Sequence, residues 1–432
     1  MLLPVDMREW LPKDHLVHFI LDAVNQIGIS GFKINRRGSG SEQMPPEMMV
    51  SLLIYSYATK RFGSRTIEAA TYTDVALRYI CGDRAHPDHS VICDFRKDNE
   101  ELFAEVFTKV LLLAQQMNKL KKVGGISVDG TKIKANASKH KAVSYKRAGE
   151  IIEELRAEVS ELMKMAEEAD GQGLEEGLKI PEEIQRREDR VAMLEEARKA
   201  MEKMYAEAEE EGSKQGKKLE EYQHNFTDSG SRIMKAGNGK HFEQSYNAEL
   251  AVDTEGSMLI LGGYVTQHGN DKKELEPAVS SVPAEVREVS SVSADTGFYS
   301  EGAVAAVEKV NEEGKSEGPE VYCAVEKGRH GKTVEDLKKK EFVEDKPADM
   351  PPKEKMARKL KTKEGKEIYK KRKETVEPVF GIIKHIMGFR QFMLRGIEKV
   401  NTEWELVKAA YNFKRLHNLL GRRSLSECMA YG

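Results

Sequence analysis

Apolar residues recur at helical spacing through most of the first 118 positions, and from about residue 123 the spacing shortens to that of strands. "PPEMMVSLLIYSYATKRFG" opens on prolines suited to a helix start, runs apolar and stops at Gly63. "SRTIEAATYTDVALRYICG" and "HSVICDFRKDNEELFAEVFTKVLLLAQQM" repeat the period of about 3.6. Residues 1–118 are therefore expected to form a helical domain.

Strand text begins in "GGISVDGTKIKANAS" (124–138) and breaks off into a long, charged helical stretch over 146–215. There Ile151, Leu155, Val159, Leu162 and Ala166 line one stripe, and Ile184, Val191, Leu194, Met201 and Tyr205 another. "DGQGLEEGLKIP" turns the chain between them, which predicts an inserted antiparallel hairpin. Arg187 and Arg198 interrupt the seam, so a long coiled coil is not expected. Alternation resumes at Tyr246, Ala248, Leu250 and Val252 and turns at "DTEGS", the pattern of a hairpin. "REVSSVSADTG" (287–297) and "EVYCAVE" (320–326) read as further strands. Residues 327–372 form a basic linker or insertion, and the remainder is helical in "ETVEPVFGIIKHIMGF" and "EWELVKAAYNFKRLHNLL". The expected class is α/β (α+β), with helices around a sheet and an all-helical N-terminal part.

Length and composition narrow this picture. A chain of 432 residues, 39% hydrophobic and 33% charged, has room for two or three domains. No run reaches the roughly 20 apolar residues of a membrane helix. The first twenty residues lack the order of a secretory signal, so no membrane partner and a cytoplasmic location are expected. Cys81, Cys93, Cys323 and Cys428 are scattered without a CxxC pair, which fits a reducing compartment and excludes a zinc ribbon. Net charge is only −3, yet residues 146–211 hold 21 acidic and 11 basic side chains, whereas 353–373 hold 11 basic and 3 acidic. A local cation excess of that size suits a polyanion.

Two strands end alike, "ISVDG" at Asp129 and "SVSADTG" at Asp295, and strand-end acids project at one rim of a sheet. A third acid, Glu377, lies near the start of a helix, where Pro378 either occupies a first turn capped by Thr375 or marks a kink. Carboxylates from separate elements, without His or Cys partners, suit magnesium, and two such ions can clamp an in-line phosphoryl transfer. Asp followed by Gly is equally ordinary turn chemistry.

The pieces "HPDHSVICDFRK", "SVDGTKIKANAS", "NFTDSGSRIMK", "SYNAELAVD", "VTQHGNDKKELEP", "SADTGFYS" and "TVEPVFGIIKHIMGFRQFMLRG" fall in order over about residues 86–396. Together they resemble a bacterial insertion-sequence transposase of the DDE type. "PPEMMVSLLIYSYATKRFGSR" is similar to that family's N-terminal helical domain. The resemblance implies a ribonuclease-H-like catalytic domain, here 119–145 and 216–425, with 146–215 inserted and 1–118 serving DNA binding or dimerisation. It implies a triad Asp129, Asp295 and Glu377 holding two Mg2+ ions, with Mn2+ as a substitute. Many relatives place a Tyr seven residues before the Glu, an Arg four before and a Lys seven after. Lys384 fits the last position and, on a regular helix, would share a face with Glu377. The earlier positions hold Lys370 and Lys373, with Tyr369 and Arg372 one residue off register.

The implied activity is metal-dependent cleavage at the element ends followed by strand transfer into target DNA. Its partners would be terminal inverted repeats, target DNA and a second copy of the chain, at the bacterial nucleoid. Lys132, Lys384, Arg372, Lys373 and Lys370 would meet phosphates. The alternatives are a catalytically silent DNA-binding derivative and a ribonuclease-H-like nuclease without strand transfer. Structural readings are expected for Asp253 at a hairpin tip, Asp271 in a turn or cap, and Trp404 in the core. His86, His89 and His268 lack metal spacing and are expected to hydrogen-bond locally. Asp228 and Arg232 form a capped turn or a DNA contact.

Overall fold

The computed structural model describes residues 6–32, 43–83, 86–169, 180–210, 218–236, 241–309, 317–326, 350–423 and 425. The turn expected over 170–181 and most of the basic stretch before 350 lie largely outside those residues. The chain divides into a larger unit, Met1–Ile133 with Tyr246–Gly432, and a smaller one, Lys134–Ser245.

In the larger unit the N-terminal part is helical: α1 (Leu16–Ile27), α2 (Pro46–Ala58), α3 (Ser64–Thr73), α4 (Val75–Cys81), α5 (His89–Asp98) and α6 (Glu100–Gln116). Asp74 and Asp88 accept from the first free N–H groups of α4 and α5, the usual carboxylate cap. α2 begins with Pro46 and is buried from Met48 through Ala58, so it is an interior helix without a polar face. After β1 (Val123–Lys134) the chain crosses the smaller unit, with β2 (Ala142–Ser144), α7 (Tyr145–Ala169), α8 (Ile180–Glu210), β3 (Gln223–Asn225) and β4 (Arg232–Ala236). It returns along β5 (His241–Asp253), β6 (Ile260–Gly262), β7 (Val265–Thr266), α9 (Leu275–Ser280), β8 (Glu288–Ala294), α10 (Glu301–Glu308) and β9 (Glu320–Cys323). The last elements are α11 (Pro352–Lys359), α12 (Lys363–Glu374), α13 (Val376–Gly381), a π-helical turn (Ile382–Ile386) and α14 (Ile397–Leu419).

The strands of the larger unit run in the order β5-β1-β8-β9, with β6 and β7 antiparallel on β5. β1, β8 and β9 are parallel, in the register Ser127↔Ser293 and Ser293↔Tyr322. A mixed sheet with this order, flanked by helices and preceded by a helical segment, is consistent with the expected ribonuclease-H-like architecture.

α14 is buried along most of its length because both sides have partners. It packs against α2 and α6, and Asn412 pairs with both backbone groups of Ile260 while Asn401 pairs with Val265. Trp404, as expected a core residue, packs beside Phe389 and Phe392. Each such fully buried large apolar side chain contributes roughly 1.5–3 kcal/mol. Glu403, fully buried in the same helix, accepts from the Tyr57 hydroxyl at 2.6 Å and from the Met393 and Leu394 N–H groups at 2.8 and 2.9 Å. Arg96 donates to Tyr57 and to the Phe62 carbonyl, both at 2.7 Å, and its Nη1 lies 3.9 Å from Glu403, so the two buried charges are paired.

In the smaller unit α7 and α8 pair through Ala148, Ile152, Leu194, Ala197 and Met201. The second apolar stripe read from the sequence thus reaches the core through Leu194 and Met201. In the first, Ile151 and Leu155 are only partly buried and Ile152 takes the inner place. The basic stretch read as linker or insertion holds α11 and α12 in its described part. Its helical pattern is masked because few of its residues face inward, among them Met356 and Arg372.

Candidate active site

β1 and β8 carry Asp129 and Asp295 in step, but only Asp295 stands at a strand end. The strand end expected at Asp129 is not there: β1 runs on through Gly130 to Lys134, so this acid is mid-strand. Ser127 faces Ser293 across the parallel pair, their hydroxyls 2.7 Å apart, and Asp129 and Asp295 each follow two residues later. Neighbouring strands are about 4.8 Å apart, so the two carboxylates leave the sheet side by side. Asp129 accepts from the Gly130 N–H at 3.0 Å, and Asp295 accepts from the Thr296 N–H at 2.5 Å.

Glu377 reaches the same place from α13. Arg372 Nη2 donates to Glu377 Oε1 at 2.9 Å and Nη1 to Asp129 Oδ2 at 3.3 Å. One guanidinium, with its side chain 8% exposed, therefore ties the first and third acids together. In an unbroken helix two residues five apart lie about 140° apart around the axis and could not share a ligand this way. The helix is broken at Thr375, whose backbone (φ −120°, ψ −79°) is not helical. That break returns the off-register arginine to the glutamate. The Thr375 hydroxyl donates back to the Lys371 carbonyl and does not cap α13; of the two readings left open, a capped first turn or a kink, the structure has an interruption of the helix, at Thr375.

Lys384 lies in the π-helical turn, so the regular two-turn spacing from Glu377 does not apply. Its ammonium donates to Thr131 Oγ1 at 2.5 Å and to the Lys132 carbonyl at 2.9 Å, fastening the helix to the end of β1. Burial, with Lys132 and Arg390 nearby, lowers its pKa. Lys132 pairs with Asp271 at 3.3 Å. Lys370 pairs with Glu374 on the outer face of α12, and Lys373 is exposed there. Arg372, Lys132 and Lys384 are thus at the site, and Lys370 and Lys373 on the surface beside it.

A second tier of polar groups escaped the sequence reading. On β5, Asn247 Nδ2 donates to Glu249 Oε1 at 2.6 Å and to Asp271 Oδ1 at 2.7 Å. Glu249 and Asn247 are fully buried, and Glu249 Oε2 and Asn247 Oδ1 have no protein partner. Burial first, then Asp271 and Glu274, pushes the Glu249 carboxyl well above its ordinary range. A Cβ on Gly130 would come within 2.5–2.8 Å of that carboxylate, and one on Gly297 within 3.3 Å of Asp271 Oδ2. The glycines after Asp129 and Asp295 therefore make room for Glu249 and Asp271. The available signal was the alternation in "SYNAELAVD", which places Asn247 and Glu249 on one face of a strand whose other face is core.

The remaining candidates have local roles. Asp253 pairs at 2.6 Å with the fully buried Arg287 and accepts from Ser257. His268 binds Glu274, His89 binds Glu68, and His86 lies between Arg78 and Thr71. Asp228 accepts from the Gly230 N–H within a turn, and Arg232 donates to the Ser229 and Ser231 carbonyls.

Among the described residues no group of three or more His, Cys, Asp or Glu side chains is gathered closely enough to hold a metal ion. The donor set nevertheless fits a hard cation. All three acids offer oxygen, and a guanidinium stands as cation between two of them. Burial, with Asp295 and Asp271 adding to it, pushes Asp129 up to about 6 despite Arg372 and the Gly130 N–H. No described helix is long and apolar enough to cross a membrane.

Two family models match parts of the chain. Residues 333–417 match the model of the transposase DDE domain, and residues 5–98 match that of a transposase domain (DUF772). The first match contains Arg372, Glu377 and Lys384, while Asp129 and Asp295 fall outside both. These matches support an insertion-sequence DDE transposase, hence a DNA-binding, DNA-cleaving class of enzyme. No curated protein and no solved structure matches the chain.

Proposed function

We propose that the chain cleaves DNA at the ends of an insertion sequence and joins the freed strands to target DNA, with Asp129, Asp295 and Glu377 as its catalytic acids. The observation that carries this is the joining of Asp129 and Glu377 through Arg372, with Asp295 in step on the adjacent strand. The three acids would hold Mg2+, or Mn2+ in its place, which supplies Lewis-acid activation and neutralises charge at phosphorus. The protein's own part is positioning and electrostatics. Backbone N–H groups of Gly130 and Thr296 fix two of the carboxylates. Lys132 and Lys384 bring positive charge to the end of β1, where the scissile phosphate would lie. Lys370, Lys373 and their neighbours on α12 extend that charge along the DNA backbone, a sequence-independent and salt-sensitive contribution. In this reading 1–118 serve DNA binding or dimerisation, 119–145 with 216–425 form the catalytic domain, 146–215 is an insertion, and two copies assemble on DNA at the nucleoid.

The test is a cleavage and joining assay on labelled duplexes carrying the element's terminal repeats, with Mg2+. The intact protein should nick the end and transfer the 3′-hydroxyl strand. Asp129→Asn, Asp295→Asn and Glu377→Gln should each abolish cleavage at near-normal DNA affinity. Cleavage retained by any one removes that residue from the catalytic set, and cleavage without joining favours a nuclease.

A further inference from the structure

We propose that Arg372 is the internal counter-ion of the metal-free site, and that divalent cations reach Asp129 and Glu377 by displacing its guanidinium. The inference rests on the catalytic role proposed above for those acids.

Three observations carry it. First, the guanidinium occupies the bridging place itself: Nη1 is on Asp129 and Nη2 on Glu377, at 3.3 and 2.9 Å. A cation bound by both acids and the guanidinium cannot share the same lone pairs. Second, the environment of Arg372 differs from that of a structural arginine. Arg96 is anchored by a backbone carbonyl and a hydroxyl, and Arg287 by a buried carboxylate at 2.6 Å. Arg372 has its two acids as ion-pair partners and the Tyr369 ring 5.9 Å from its guanidinium, with no backbone carbonyl to anchor it as Arg96 has; an unpartnered buried Nε is common to all three arginines. Its hold depends on the groups a metal would claim. Third, the arginine sits one turn before the break at Thr375, on a long side chain that can turn aside without unwinding α12.

Competition of this kind is reciprocal: whatever loosens Arg372 tightens the metal, and the metal frees Arg372. The purified full chain, stripped with EDTA, can be titrated with Mn2+ by calorimetry and by the loss of the free-ion paramagnetic signal. Arg372→Ala and Arg372→Gln should bind Mn2+ about tenfold more tightly than the intact protein, the weight of one charge-assisted contact. Arg372→Lys should fall between. In EDTA the Ala and Gln variants should melt lower than the intact protein, and saturating Mn2+ should raise their midpoints by more. Millimolar guanidinium should weaken Mn2+ binding to Arg372→Ala beyond an equal concentration of NaCl. Equal or weaker Mn2+ binding by the Ala and Gln variants overturns the proposal. The double variant Asp129→Asn/Glu377→Gln separates this from the parent reading: if it binds Mn2+ as the intact protein does, the acids are not the ligands and both ideas fall. If it loses binding while Arg372→Ala also binds weakly, Arg372 orients the ligands and only the counter-ion proposal fails.

Discussion

Replacing Asp129 with asparagine should stabilise the metal-free protein at pH 8, and the gain should disappear in acid. Burial pushes the Asp129 carboxyl up to about 6 from an ordinary 3.8, with Asp295 and Asp271 adding to the effect and Arg372 offsetting part of it. The folded state therefore holds the proton more tightly than the unfolded chain does. Stability attributable to this group is full below about pH 4 and is lost as pH rises through about 6. About two pKa units correspond to roughly 3 kcal/mol, an upper figure for what the ionised carboxylate costs at pH 8. Asparagine keeps the shape and removes the charge. It forfeits one contact to Arg372, which keeps Glu377. The net gain should be about 1–3 kcal/mol, or several degrees in melting midpoint. Urea and thermal melts in EDTA between pH 4 and 8 measure it. Mn2+ should then reverse the order, raising the intact protein and leaving the variant unmoved. A variant that is less stable at pH 8, or a difference that does not change with pH, would refute the reasoning.

Other perturbations test the surroundings. Gly130→Ala drives a methyl group to 2.5–2.8 Å from the Glu249 carboxylate and should cost about 1–3 kcal/mol in urea melts, partly recovered by adding Glu249→Ala. Arg287→Met leaves the buried Asp253 without its partner and should cost about 3–5 kcal/mol, while Arg287→Met with Asp253→Asn should recover much of it. Neutralising Lys370 and Lys373 should weaken binding to all DNA sequences alike and lower the salt slope by up to about 2, read by fluorescence anisotropy.

The parts of this site that depend on local chemistry could be read from the chain. Asp295 ends an apolar run, and its place at a strand tip follows from strand periodicity. Asp129 also ends one, but β1 continues past it to Lys134, so the expected tip is mid-strand. Their common register, each two residues past a paired serine, comes from the pairing of β1 with β8 and could not be read from the chain. Glu377 could be placed near a helix start for the same kind of local reason. What could not be read depends on tertiary context. Arg372 meets Glu377 through the break at Thr375; Pro378 left a kink open as one of two readings, but not the pairing that the break produces. α12 is so rich in cations that its helical period is invisible until β8 and β9 provide a surface for it. Asn247 and Glu249 occupy positions that alternation assigns to an outer face, but Gly130 and Asp271 cover that face and bury both.

The interruption at Thr375 has a consequence for evolution. Because the chain re-aims there, an arginine five residues before the glutamate can meet it, where an unbroken helix would ask for an interval of about four. Searches that demand a fixed interval between them will pass over chains built this way, whereas searches for a helix interrupted between an arginine and a glutamate will find them.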